Sequence, residues 1–529
     1  MSVQAVACDV VVIGGGHNGL VAANYLADGG LKVTVAEACS QVGGLTSTTA
    51  NIPGAPRHLV NNFSVDAFFW DSFAPSRELE LDLHGLRRVT IDPGHVYLHP
   101  DGGSIAFWED TNRTVDEIGR FSEHDAKAYA DFSRVLTKFA NVFLSLAQMN
   151  PVSPDMKTLW QVGKEMFRSR ADLKELGTFP FASANEIIGE RFKHPVVRDA
   201  MHACAGATVP NSQSGTGACF LWLATMHRYK CQRPIGGVQA IPDALANRLR
   251  SKGGTVLVNA PVAEILLKAG RACGVRLADG SEITASHAVL GACDPRTTLE
   301  RLLPAGTLSP LMEDRVHNIP VANSNYGQMK VDVALSGKLD MKRHHKWRQD
   351  GLDLRLSSHI VGTEVGMEKA FARSAAGLLP YSKDYSLWPV IPSAADPSQA
   401  PEGQDTIYLY SAVGPYQPDE GWAKLKAQAG QDIVDLASTY YDGLDTLEIA
   451  RQVLTNEDFA VMAHPTGGNV THVDMVPGRL GPLRPARGLA GYATPVKGLY
   501  IGSAGCHPGG GITGAPGYLS ARAILKGLR

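Results

Sequence analysis

Gly14, Gly16 and Gly19 are spaced as G-x-G-x-x-G and are followed by a carboxylate at Glu37. Glycines at this spacing let backbone N–H groups reach a pyrophosphate, and the acid beyond them can accept hydrogen bonds from ribose hydroxyls. A second pair, Gly43-Gly44, offers another close backbone approach. Near the other end of the chain, SAGCHPGGGITG forms a glycine loop that holds one imidazole, His507. That imidazole could accept or donate a proton near neutral pH, and bracing of the loop is its other reading. Asn61 and Asn62 are secondary polar candidates.

These residues need elements to position them. The apolar β-branched run at 10–13 predicts a buried parallel strand. A helix over 20–28 follows, then a stop at Gly29-Gly30 and a second strand over 32–36 that ends on Glu37. In this βαβ unit the pyrophosphate sits on the helix N-terminus, where unpaired N–H groups and the positive dipole end favour an anion. Gly14 permits the turn, Gly16 the close approach and Gly19 the helix–strand packing. The acid argues against a 2′-phosphate, so the unit binds the ADP part of NAD or FAD, and Gly43-Gly44 favours FAD. A strand over 498–502, the His507 loop and a helix over 518–526 repeat the arrangement at the C-terminus. Two such units at opposite ends require a ligand long enough to touch both.

At 529 residues the chain predicts about two to four domains. Its net charge of −2 gives no electrostatic footprint for nucleic acid. Eight cysteines without a C-x-x-C pair suit neither a zinc site nor a redox dithiol, so no metal is expected and the thiols read as reduced in a cytoplasmic protein. MSVQAVACD lacks the basic start of a leader, and no run is long enough to span a membrane. Residues 51–225 read as a helix-rich insertion, with helices over 123–148, 156–167 and 186–192 and strands over 96–99 and 104–107. The nucleotide-domain style returns at 234–238, with a helix over 241–251 and strands over 255–258, 262–267, 272–277 and 288–292. Strands over 327–335 and 405–413 suggest a second sheet, with a proline-rich loop over 389–397 between them and a helix over 422–441 after them. The basic run 342–348 reads as a solvated loop, with peripheral membrane docking through Trp347 as the alternative.

VVVIGGGHNGL with Glu37, VGGLTST, RPIGGVQAIPDALANRL, GGTVLVNAPVAEILL, CDPRTTLERLLP and LYIGSAGCHPGGGITGAPG together resemble the phytoene desaturase-like family of FAD-dependent oxidoreductases. The HPGGG ending and the DPSQAP stretch resemble the clade of carotene-ketolase-like and pyridine-nucleotide-disulphide-oxidoreductase-domain proteins. The resemblance runs nearly end to end, with few matching pieces over 55–225. It implies an α/β fold with a discontinuous, glutathione-reductase-like FAD-binding Rossmann domain built from 1–55, 231–298 and 471–529. A mixed sheet-plus-helices substrate domain would occupy 56–230 and 299–470. By the same resemblance Gly14, Gly16 and Gly19 hold the pyrophosphate and Glu37 the ribose. Gly43 and Gly44 lie along the ribitol and pyrophosphate, Val262 meets adenine, Gly502 approaches the pyrophosphate, and Gly511-Ile512-Thr513 meets the flavin end. Asn18, Ala38, Leu45 and Thr46 complete the cofactor set.

The activity this implies is removal of a hydride from a hydrophobic, isoprenoid or terpenoid substrate by bound FAD. A flavin amine or amino-acid oxidase is the second reading. It would want an aromatic pair facing the flavin or an arginine for a carboxylate, and the sequence identifies neither. A non-catalytic flavin-binding partner protein is the third. The chain carries no second nicotinamide-binding unit, so the electron acceptor is expected to be oxygen, a quinone or a partner protein. The sequence leaves an oligomer open.

Overall fold

The computed structural model describes residues 6–205, 209–322 and 324–528. Residues 1–5 of the MSVQAVACD start lie outside them. Val10, Val11 and Val12 are fully buried because both faces of the sheet their strand enters are covered, one of them by helices. That strand, Val6–Ile13, pairs in parallel with Val33–Ala36 on one side and Glu282–Gly291 on the other. Thr255–Leu257 extends the sheet beyond Val33–Ala36, and Leu499–Ile501 pairs in parallel with Val289–Gly291. The first half of Glu282–Gly291 instead pairs antiparallel with Arg271–Leu277, which pairs with Val262–Lys268. These antiparallel strands are thus continuous with the main sheet. Helices His17–Asp28, Ala240–Ser251 and Ala515–Gly527 pack together over one face.

The second sheet has seven strands. Glu448–Leu454, Tyr326–Leu335, Asp405–Pro415 and Leu387–Val390 are antiparallel neighbours, and Ser358–Ile360, His95–Leu98 and Ser104–Phe107 complete it. Strands from the helix-rich stretch and from 326–454 therefore share one sheet. The long amphipathic helix runs Glu123–Ala147, with Ser122 as its N-cap accepting from the Asp125 N–H. Its apolar side packs into a cluster with Phe107, Phe179, Phe192 and Phe220.

Two local expectations are corrected. The basic run is not a loop but the helix Lys342–Arg348. Arg348 is buried and forms a bidentate pair with Glu117, while the Trp347 ring stacks on Phe121 at 5.1 Å. The proline-rich stretch is not a loop either: it contributes the strand Leu387–Val390 and two short helical turns, Pro392–Ala395 and Pro397–Gln399. Pro389 is tolerated because the strand's remaining residues carry its ladder. Asp396 then accepts from the Gly236 N–H at 2.7 Å, tying this turn to the Gly236-Gly237 turn.

His359 sits at the centre of the second sheet with no exposed surface. Its Nε2 donates to the Leu354 carbonyl at 2.8 Å, and Nδ1 accepts from the Tyr441 hydroxyl at 2.6 Å. Burial pushes its pKa down to about 3, so the folded ring stays neutral while the unfolded ring protonates below its ordinary value of 6.5. A depressed histidine pKa means that the folded state binds fewer protons. Stability is therefore present above pH 6.5 and falls as the pH drops from there toward 3. His359→Gln should flatten the dependence of unfolding free energy on pH by about 1.4 kcal/mol per pH unit in that window, measured by denaturant titration at several pH values.

Candidate cofactor groove and substrate cavity

A groove of about 350 Å³ opens at the carboxyl ends of the parallel strands. Gly14, Gly16, Asn18, Glu37, Ala38, Gly43, Gly44, Leu45, Thr46 and Val262 all line it. The Glu37 carboxylate is fixed in place: Oε2 accepts from the Gly15 N–H at 2.6 Å and Oε1 from the Cys39 N–H at 2.8 Å. Lone pairs remain on both oxygens for a ribose diol. A β-carbon on Gly16 would meet no atom within 4 Å, so the backbone there faces open groove. The N-terminus of helix His17–Asp28 points the same way and carries no acidic residue in its first turn.

Two of the expected residues act behind the groove rather than in it. A β-carbon on Gly19 would lie 2.2 Å from the Gly14 carbonyl oxygen, so Gly19 serves helix–strand contact. At Gly502 it would lie 2.4 Å from Ser520 Oγ, so this glycine admits the C-terminal helix. Neither lines the groove.

Sequence reasoning missed several groove residues. Thr297 and Thr466 both bond Asp294, which ties the 463–466 stretch to the end of the strand and makes it a wall. His17 and His472 also line the groove. His17 is bonded to Thr46 Oγ1 at 2.9 Å and lies beside the Gly511 backbone; burial, with His472 nearby, pushes its pKa down to about 4. His17 Nε2, Asn18 Oδ1 and His472 Nδ1 are buried without a protein partner. Three such atoms in one groove, with open glycine backbone and a prepared carboxylate, fit a polar dinucleotide.

Gly511 and Ile512 line a second cavity of about 230 Å³, and Thr513 supports them by accepting from the Ala515 N–H. Gly511 has φ +95°, and a β-carbon there would press on Phe69, so the turn requires glycine. The other walls are aromatic: Phe63, Phe68, Phe69, Trp388, Tyr408 and Tyr410, with His95, Asp66 and Ser358 among them. Trp388, Tyr408, Tyr410, His95 and Ser358 converge from strands of the second sheet, and Phe63, Phe68 and Phe69 come from the stretch just before the turn Trp70–Ser72. Each ionisable wall group is neutral or compensated. Burial pushes His95 down to about 4. The Asp66 carboxylate is paired with Arg233 at 2.9 Å and accepts from Ser358, and the Tyr408 hydroxyl donates to the Phe63 carbonyl at 2.6 Å.

A buried pair stands behind this wall. Lys330 Nζ donates to the Asn61 carbonyl and Asp332 and lies 4.8 Å from the Tyr408 ring centroid. Burial pushes the Lys330 pKa down and the Asp332 pKa up, each held back by its partner. Spacing of two within an apolar strand run was the signal available for it. Asn61 and Asn62 line neither cavity. Asn61 bonds Thr48, Val238 and Gln399, and Asn62 bonds Ser47 and Thr49, which fastens the 47–49 and 60–62 stretches together.

His507 also lines neither cavity. Its Nε2 donates to the Leu146 carbonyl at 3.2 Å, its own carbonyl accepts from Tyr492, and burial pushes its pKa down to about 4. This geometry fits the bracing reading. His507→Gln should keep turnover within about threefold of the parent while lowering thermal stability by about 1 kcal/mol, the loss of one buried hydrogen bond. Steady-state kinetics and a melting curve check both.

The family described as flavin-containing amine oxidoreductase matches residues 19–525. A pyridine nucleotide-disulfide oxidoreductase domain-containing protein 2 of Mus musculus is 27% identical over 98% of this chain and 94% of its own. A limonene dehydrogenase chain of Castellaniella defragrans is 24% identical over 98% and 95%, and a phytoene desaturase of Rhodobacter capsulatus 25% over 95% and 90%. Among solved structures, an oxidoreductase of Methanosarcina mazei superposes with TM-score 0.61 at 15% identity, covering 98% of this chain and 100% of that one. A putrescine oxidase variant gives 0.60 at 16%, covering 99% of each, and these two show the fold. The glycine groove, its prepared carboxylate and these matches together carry the assignment: the chain belongs to the flavin-containing amine oxidoreductase family and is an FAD-dependent oxidoreductase of phytoene desaturase-like type.

Proposed function

We propose that the protein dehydrogenates an apolar, isoprenoid-type substrate held in the aromatic cavity beside Gly511-Ile512. The carrying observation is the chemistry of that wall: flat aromatic faces, and no charge left uncompensated to meet an ammonium or a carboxylate. Burial of a neutral hydrocarbon against such faces is favourable, whereas a charged substrate would lose its hydration without a partner. When bound, FAD supplies a two-electron sink for hydride. The chain's own part is to orient the substrate C–H bond and exclude water, leaving a double bond or an oxidised carbon. The names of the limonene and phytoene relatives agree with this substrate class. The electrons would then pass to a separate acceptor: oxygen, a quinone or a protein.

One observation favours an amine oxidase instead. The aromatic pair that the sequence did not reveal is present: Tyr408 and Tyr410 line the cavity with ring centroids 6.4 Å apart. No arginine lines the cavity among the described residues; Arg233 stands behind Asp66 and is committed to it. Anaerobic mixing of the yellow protein with terpenes, carotenoids and amines separates the two readings. Bleaching of the flavin absorbance by an isoprenoid is the expected result, and bleaching by amines alone would replace the proposal with the second reading.

A further inference from the structure

The densest run of exposed large hydrophobic side chains among the described residues is the helix Met156–Arg168 and the turns that follow it. Met156 is 78% exposed, Trp160 69%, Phe167 68% and Phe181 77%. At 100° per residue Met156, Leu159, Trp160, Gly163 and Phe167 form a single outward stripe. Val162 and Ser169, on the opposite side, are buried, and the helix packs on the long helix Glu123–Ala147. Among the described residues the stripe is therefore a face without a partner, not a misplaced core.

Its charges are sorted. The acids of the region are engaged: Asp155 caps the helix, Glu165 pairs with Arg168, Asp172 with Arg134, and Glu175 with Arg191. Lys157, Lys164, Arg170 and Lys174 make no ion pair among the described residues. Lys164 and Arg170 lie over the Trp160 and Phe167 rings, at 5.2 and 4.7 Å, so cations stand at the border of the apolar stripe. Aromatic and aliphatic side chains on one side and unpaired cations along the edge are what an interfacial helix presents to acyl chains and anionic headgroups.

From this we infer that helix Met156–Arg168 docks the protein on the surface of an anionic bilayer. The helix lies parallel to the membrane plane, with Trp160 and Phe167 below the headgroups and the four cations among them. Among the described residues no helix is long and apolar enough to cross a membrane, so this contact is peripheral. The inference does not depend on the proposed substrate, although the two fit together. Phe143 and Leu144 of the supporting helix cluster with Phe69, which lines the aromatic cavity, so the docking face is one helix away from the cavity wall.

The test is flotation of the FAD-loaded protein with vesicles of phosphatidylcholine, alone or with roughly one quarter phosphatidylglycerol. Anionic vesicles should carry at least about tenfold more protein than neutral ones, and the difference should shrink in high salt. Trp160→Glu with Phe167→Glu should lose about tenfold or more of that binding while keeping full flavin content, since both residues are exposed. Equal flotation of parent and variant, or none by the parent, would overturn the inference. So would light scattering that shows a parent dimer converted to monomer by the double substitution, because a second copy would then cover the stripe.

Discussion

Gly16→Val should give a folded protein that contains no FAD and has no turnover. Gly16 has φ −65° and ψ 164°, an extended conformation that any residue adopts. A β-carbon there meets nothing within 4 Å, so the empty chain accommodates it. What the branched side chain takes away is the space a pyrophosphate needs against the N-terminus of helix His17–Asp28. The expected signature is therefore divided: near-native circular dichroism, absent flavin absorbance, and a lower melting temperature because bound ligand no longer stabilises the fold. Gly19→Ala provides the contrast. Its β-carbon would stand 2.2 Å from the Gly14 carbonyl oxygen, so it should damage folding itself. A yellow, fully loaded Gly16→Val protein would remove this groove as the cofactor site.

Arg233→Met should be the most destabilising single change near the substrate cavity. Arg233 is fully buried and donates to Asp66, to Ser358 Oγ and to the Leu356 carbonyl. Burial pushes the Asp66 carboxyl up, but the guanidinium, helped by Ser358, outweighs it and holds the group below its usual range. Removing the cation leaves a buried charge uncompensated, at a cost of about 3–5 kcal/mol. The pH dependence gives the cause away. In the parent, the depressed Asp66 pKa contributes stability above the unfolded value of about 3.9, and this is lost as pH falls through the folded pKa. In the variant the Ser358 hydrogen bond remains but the guanidinium is gone, so burial outweighs it and raises the pKa. The folded state then binds the extra proton, and the gap between variant and parent should narrow as pH falls. Asp66→Asn added to Arg233→Met should recover much of the loss; an unchanged double variant would place the damage elsewhere. Denaturant unfolding at two pH values decides both points.

The nucleotide half was readable because its constraints are local. Close backbone approach demands glycine, a tight strand-to-helix turn fixes the spacing, and the acid follows at the end of the next strand. The order of strands around it, with Glu282–Gly291 between Val6–Ile13 and Leu499–Ile501, rests on pairings that no short stretch contains. The substrate cavity was opaque for the same reason. Phe69, His95, Trp388, Tyr408 and Ile512 come from separate stretches, and only tertiary packing makes them one wall. The basic run misled because charge density in sequence reads as solvation. Arg348 is instead neutralised by Glu117, 231 positions away, inside the protein. Lys330 and Asp332 were closer to legible, since two charges at i and i+2 in an apolar strand must share a face and find each other.

The walls of the cofactor groove come from residues 13–46, 261–302 and 463–504, and the helix layer behind it includes Ala515–Gly527. That distribution sets a timetable for a growing chain. At about 5–20 residues per second, the first βαβ unit leaves the ribosome long before its last neighbours exist. Leu499–Ile501 and the helix Ala515–Gly527, which packs on His17–Asp28, emerge only after every strand of the second sheet has been made. Until then the apolar side of that first helix lacks one of its covers and the groove lacks a wall. Flavin loading thus waits for these late elements, and the cofactor acts as the last clamp on a domain whose first strands have waited for its last.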